Sequence, residues 1–156
     1  MKRETEAPAR LVPARVGGNF VVLRADALRL LLPQQEVGAA EYIDGEPHPT
    51  GTPGLFEYGE GDGLRHVIAL SGQMRSLATF PQGRFVLTKL MADEGELSFA
   101  WNEVRVLIDA QLEPHPLPAA MRVTGAPIDA YVEHEGELLL CSTAGQVLGY
   151  AAMARG

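Results

Sequence analysis

Leu97-Ser98-Phe99-Ala100-Trp101 and, two residues on, Val104-Arg105-Val106-Leu107-Ile108 decide the fold. In the first run Leu97, Phe99 and Trp101 alternate with Ser98 and Ala100; in the second Val104, Val106 and Ile108 alternate with Arg105 and Leu107. Successive side chains of a strand point to opposite faces, so a period of two marks a half-buried strand and does not suit a helix. Both runs predict strands, with Leu97, Phe99 and Trp101 as core. Toward the N-terminus, Phe85-Val86-Leu87 starts another strand and Asp93-Glu94-Gly95-Glu96 is a turn. Toward the C-terminus, Glu113 to Pro118 is a Pro-rich loop. Ile128, Ala130 and Val132 then alternate with Asp129, Tyr131 and Glu133, and Leu138 to Cys141 completes a hairpin across His134-Glu135-Gly136-Glu137. Thr143 to Met153 predicts a short helix capped by Thr143.

The first half reads alike. Phe20 to Leu23 and Leu28 to Leu32 are apolar runs separated by Ala25-Asp26-Ala27, a hairpin pattern. Val37 to Ile43 continues as a strand, Asp44 to Pro53 is a loop, and Leu64 to Leu70 is a strand after the turn-rich Gly59 to Gly63. Laid over each other, the halves match in order: Glu36-Val37 with Glu103-Val104, Glu46-Pro47-His48-Pro49 with Glu113-Pro114-His115-Pro116, Gly63 with Gly136, and Gly72-Gln73 with Gly145-Gln146. Near-constant spacing with preserved order is the mark of a duplication. The expectation is an all-β chain of two similar small antiparallel sheets, each curled into a barrel. The repeated halves span about 19–80 and 84–153, after a loose tail at 1–18.

Composition narrows the function. The 156 residues carry 13 basic and 20 acidic side chains, a net charge of −7. That balance argues against a nucleic-acid groove, which needs basic residues to displace counterions, and against an anionic membrane surface. Cys141 is the single cysteine, which fits a reducing compartment. The polar start, Met1 to Glu6, has no apolar signal core, and no apolar run approaches a membrane span. The chain reads as cytoplasmic.

No catalytic constellation emerges. His48 and His115 each sit between two prolines at matched points of the repeat, and a ligand- or metal-binding barrel or small enzyme using both is the alternative to an inherited rigid loop. His134-Glu135 opens like a zinc-protease motif, but Leu138 stands where the second histidine belongs. His66 reads as a hydrogen-bonded rim residue. Ser71 lacks the flanking glycines of a nucleophile elbow, and Cys141 reads as a small core residue. Gly59 to Gly63 carries two acids and no lysine, unlike a phosphate loop. Glu133, Glu135 and Glu137 read as a solvated hairpin edge. No cofactor is expected. A third possibility is a regulatory subunit whose paired barrels support an oligomer.

The succession of elements resembles the CheW-like domain of bacterial chemosensory systems. The resemblance is carried by Asn19 to Arg24 with Leu28 to Pro33, by Glu36-Val37, by Thr52 to Leu55 with Val67 to Leu70, and by Leu97 to Ile108, Leu117-Pro118 and Ala126 to Leu140. It implies two five-stranded barrels sharing a core and a short C-terminal helix. It also implies a non-catalytic adaptor linking chemoreceptors to a CheA-type histidine kinase, the receptor in the groove between barrels and the kinase on a barrel edge. Val37 matches a groove-lining valine of the family, and Tyr42 and Leu55 are expected near the groove. Gly61-Asp62-Gly63 departs from the family's Asn-x-Arg-Gly signature: Asp62 stands where the arginine belongs and reverses the local charge. That departure marks Asp62 as a partner-altering residue and implies a divergent pathway, such as pilus motility.

Overall fold

The computed structural model describes residues 16–93, 95–121 and 127–155. Twelve strands and one helix follow in order: β1 (Val16–Ala25), β2 (Leu28–Pro33), β3 (Glu41–Tyr42), β4 (His48–Pro49), β5 (Phe56–Tyr58), β6 (Arg65–Ile68), β7 (Val86–Ala92), β8 (Gly95–Trp101), β9 (Glu103–Leu112), β10 (His115–Pro116), β11 (Ala130–His134), β12 (Glu137–Cys141) and α1 (Ala144–Arg155). Of the expected loose tail, residues 1–15 lie outside the described part, and Val16 to Gly18 already belong to β1. Glu94 of the expected turn and Ala126, at the start of the last resembling stretch, also lie outside it.

The strands form two sheets, β10-β11-β12-β2-β1-β9 and β4-β5-β6-β8-β7-β3. The two orders are identical once β1–β6 are laid over β7–β12. The sheets are not the two halves of the sequence, however. Hairpin β1–β2 belongs to the sheet of β9–β12, and hairpin β7–β8 to the sheet of β3–β6. Each half lends its opening hairpin to the other. The insertion also makes one pairing in each sheet parallel, β12 with β2 and β6 with β8, where antiparallel sheets were expected. Each sheet has six strands rather than five, because the two-residue Pro-His-Pro segments β4 and β10 pair as outer strands.

Both sheets curl. Arg105 on β9 bonds Glu137 on β12 although β1 and β2 intervene, and Arg65 on β6 bonds Glu41 on β3 although β7 and β8 intervene. These two ion pairs join equivalent strands with reversed polarity. The expected solvated edge at Glu133, Glu135 and Glu137 is thereby corrected at Glu137, which is half-buried and also lies 3.4 Å from Arg29 Nε.

The lent hairpins are buried on both faces, which explains their composition. Val21, Leu23, Leu30 and Leu32 face a central core shared with Leu90, Phe99 and Trp101; Val22 and Leu31 face the inside of their own curl with Val132 and Leu139. Leu87 and Ala100 likewise face the other curl with Phe56, Val67 and Phe80. A strand covered on both sides needs a continuous apolar run, as in Leu30-Leu31-Leu32. On β8 the residues between the large ones are buried too: Ser98 is 5% exposed and Ala100 is 0% exposed, so the half-buried expectation is corrected. Trp101 satisfies its buried Nε1–H by donating to Thr88 Oγ1 at 2.8 Å.

The helix closes one side of the central core with Ala144, Val147 and Ala151, at helical spacing, and packs on β7. Thr143 caps it, its Oγ1 accepting from Gln146 N at 3.2 Å, while Glu36 Oε1 accepts from Ala144 N at 2.7 Å. Glu36 ends the 3-10 turn at Gln34–Glu36 that leads from β2 into the other sheet.

Candidate docking surfaces

Asn102 forms the corner between β8 and β9. Along β8 away from that corner come Trp101, Phe99 and Leu97; along β9 come Val104, Val106 and Ile108. Trp101 and Phe99 are fully buried, Leu97 and Val104 are half-buried against the core, and Val106 and Ile108 are 48% and 63% exposed. The apolar face of β9 therefore runs out of the shared core into solvent.

A β-bulge sharpens this. Gly18 pairs with Ala110 and Phe20 with Leu107, so β9 carries one extra residue opposite Asn19. Asp109 takes the left-handed backbone there, φ 51°, and its N–H donates to Asn19 Oδ1 at 2.8 Å. Ile108 stands on the bulge. Alternation identified the common face of Val104, Val106 and Ile108, and the expectation that this face is buried is corrected at its outer two members.

Val37 bridges to Leu90 of β7 and is half-buried against the central core. Next to it Gly38 N donates to Lys89 O at 2.7 Å, and a Cβ on Gly38 would sit 3.3 Å from that of Lys89. Val37 to Ile43 was expected as one strand; only Glu41–Tyr42 forms it, flanked by these single contacts. Leu55 also packs half-buried on the central core, its carbonyl accepting from Thr50 Oγ1 at 2.8 Å. Tyr42 is 80% exposed on the outer strand β3. Asp62 is exposed on the 3-10 turn Gly61–Gly63 at the β5–β6 tip. Val37 and Leu55 thus meet one core, whereas Tyr42 and Asp62 occupy outer positions.

Beside Asp62 the sequence reading passed over Arg65. Its Nη2 donates to Glu41 Oε2 at 3.0 Å and its guanidinium stacks 5.6 Å from the Tyr58 ring centroid. This hydrogen bond holds the Glu41 carboxyl below the usual range and raises Arg65. Arg65, three residues after Asp62, is therefore already committed to a carboxylate.

The two Pro-flanked histidines, His48 and His115, lie on different sheets. His48 is on β4 opposite Glu57, and His115 is on β10 of the other sheet, its ring 5.2 Å from that of Tyr131. The expected loop around His48 contains this short strand. His66 Nε2 lies 3.6 Å from Glu57, and His134 Nε2 3.7 Å from Glu135. Among the described residues no group of three or more His, Cys, Asp or Glu side chains is arranged to hold a metal ion. Burial pushes the Cys141 thiol up to about 11, so it stays protonated at neutral pH. Ser71 Oγ is a turn acceptor for Gln73 N and Arg75 N. No helix among the described residues is long and apolar enough to cross a membrane.

No family model matches the chain, and no curated protein matches it. Among solved structures, it is similar to the crystal structure of the scaffolding protein TtCheW from Thermoanaerobacter tengcongensis. The TM-score is 0.53 at 12% identity, over 81% of this chain and 89% of that one. The likeness is one of fold: two curled sheets and a short terminal helix.

Proposed function

We propose that this chain is a non-catalytic adaptor in bacterial chemosensory signalling that couples chemoreceptor-like proteins to a CheA-type histidine kinase in the cytoplasm. The observation that carries the reading is the apolar face that leaves the shared core along Val104, Val106 and Ile108. Partly exposed apolar surface continuous with a core is suited to receiving a partner. The likeness to a scaffolding protein supports the same reading at the level of fold. Equal strand order in the two sheets supports descent from a duplicated half, with one adaptor domain from Asn19 onward. In this reading Val37 and Leu55 border the groove, and Tyr42 and Asp62 meet a partner at an edge. Asp62, with Arg65 held by Glu41, makes that edge acidic and sets the chain apart toward a divergent pathway such as pilus motility.

The test is titration calorimetry of the purified chain against the regulatory domain of a CheA-type kinase and against a receptor signalling-tip fragment. Micromolar binding to both is expected. Val37→Glu should weaken receptor binding at least about tenfold, which is about 1.4 kcal/mol, and leave kinase binding unchanged. Absence of binding to either partner overturns the proposal.

A further inference from the structure

We infer that a cleft at one mouth of the sheet β4-β5-β6-β8-β7-β3 receives an arginine side chain from a partner protein. The cleft holds about 470 Å³, and Ile43, Phe80 and Phe85 are among its walls. Phe80 belongs to the core inside this curl, where it meets Phe56 edge-on at 5.3 Å between ring centroids, and Ile43 packs on the same core. The ladder of β3 and β7 continues one step into the cleft, Ile43 N donating to Phe85 O at 2.9 Å. By alternation Phe85 then shares the inner face of Leu87. Leu87 is 2% exposed and Phe85 is 60% exposed, so the apolar lining of the curl runs out into the cleft. The mouth of a curled sheet is a favoured place for a ligand group.

The charge at this mouth selects the occupant. Glu46 lines the cleft. It and Asp44 are exposed, and among the described residues neither carboxylate is in an ion pair. Among the described lining residues the one cation is Arg84, whose side chain has no exposed surface and whose Nη2 lies 3.3 Å from Asp26 Oδ2. The charge that a partner can reach is therefore negative. The surrounding chain reinforces it: residues 38–64 hold Glu41, Asp44, Glu46, Glu57, Glu60 and Asp62 and no lysine or arginine. An arginine satisfies both parts of the site. Its apolar stem lies along Ile43 and Phe80, and its planar cation stacks on Phe85 and bonds the Glu46 carboxylate. A purely apolar side chain would cover Glu46 and strip its charge of water without supplying a counterion. None of Val37, Leu55, Val106 and Ile108 lines this cleft, so the inference goes beyond the adaptor reading and does not depend on it.

The experiment is a backbone-amide NMR titration of the full chain with a capped Gly-Ser-Arg-Ser-Gly peptide at millimolar concentration. Shifts are expected at Gly45, Glu46, Gly83 and Phe85 and not in β11 or β12, and they should shrink as salt is added. The same peptide with norleucine or glutamate in place of arginine should leave these amides unmoved. Glu46→Gln and Phe85→Ala each change an exposed side chain, and each should weaken binding about three- to fivefold with the rest of the spectrum in place. Absence of shifts around the cleft overturns the inference. So does equal binding of the norleucine peptide, which would make the cleft a purely apolar one, and so does arginine binding that survives both substitutions unchanged.

Discussion

Arg84 Nη2 lies 3.3 Å from Asp26 Oδ2, a contact that ties the two sheets together across the β1–β2 turn. The arginine side chain has no exposed surface, whereas that of Asp26 is 56% exposed. Arg84 Nη1 donates to Ala100 O at 3.3 Å. Asn102 completes the knot: its Oδ1 accepts from Asp26 N at 2.6 Å and its Nδ2 donates to Gly83 O at 2.9 Å. A buried cation with a single partly solvated counterion is costly to leave alone. Asp26→Asn keeps the left-handed backbone, φ 57°, tolerable and removes only the charge. It should destabilise the chain by about 3 kcal/mol in urea unfolding, and Arg84→Met should cost less, since it removes the cation as well.

Trp101 and Thr88 form a second testable pair. Thr88→Val leaves the indole N–H buried without an acceptor and should cost about 1–3 kcal/mol. Placed on top of Trp101→Phe, the same substitution should cost far less. A double-mutant cycle in chemical denaturation gives the coupling, and additive losses would contradict the assignment.

The pH dependence follows from Glu41 and Glu137. Hydrogen bonds from Arg65 and Arg105 respectively hold both carboxyls below their ordinary value. The unfolded chain then takes up these protons first as the solution is acidified. The stabilisation is full above the ordinary carboxylate value of 4.5 and is lost as pH falls through the lowered folded values. Thermal melts of E41Q/E137Q below pH 4.5 should show a shallower decline than the wild type.

Gly59 has φ 99°, and a Cβ there would come within 2.4 Å of Gly63 O. Gly59→Ala should therefore open the β5–β6 tip that carries Asp62, at a cost of about 1–3 kcal/mol. Amide exchange should accelerate in β5 and β6 and stay unchanged in β11 and β12.

Cys141 should be slow to alkylate at pH 8 in the native state. With its thiol pushed up to about 11, little thiolate is present, and unfolding in guanidinium should restore the rate of a free cysteine.

Much of the strand content was legible because alternation is a local property. Leu97 to Trp101 and Ala130 to Val132 lie where their period placed them. The two-residue turn Glu135-Gly136 was legible for the same reason, since both residues take positive φ as a tight hairpin requires. What alternation does not contain is whether a face finds a neighbour. It grouped Val104, Val106 and Ile108 correctly and could not tell that only Val104 is packed against the core. Nor could it tell that Ser98 and Ala100 are covered, because that depends on a second layer brought in from elsewhere in the chain. Pairing partners were the least readable: the adjacency of β12 and β2 joins segments from opposite ends, and no local pattern encodes it. Among the candidate site residues, Val37 and Leu55 were expected near a groove from the resemblance alone, and their half-burial on the central core was not read from the sequence. Arg65 was hidden because its role depends on Glu41 across a curled sheet.

The lending of hairpins between halves has a consequence for how the protein is made. As the chain leaves the ribosome, β1–β2 emerges first, yet its sheet needs β9 to β12, which emerge last. The earliest apolar strands must wait for nearly the whole polypeptide, and folding dominated by such distant pairings is slow. Neither half of the chain can complete its sheet alone, so the loss of either would undo both.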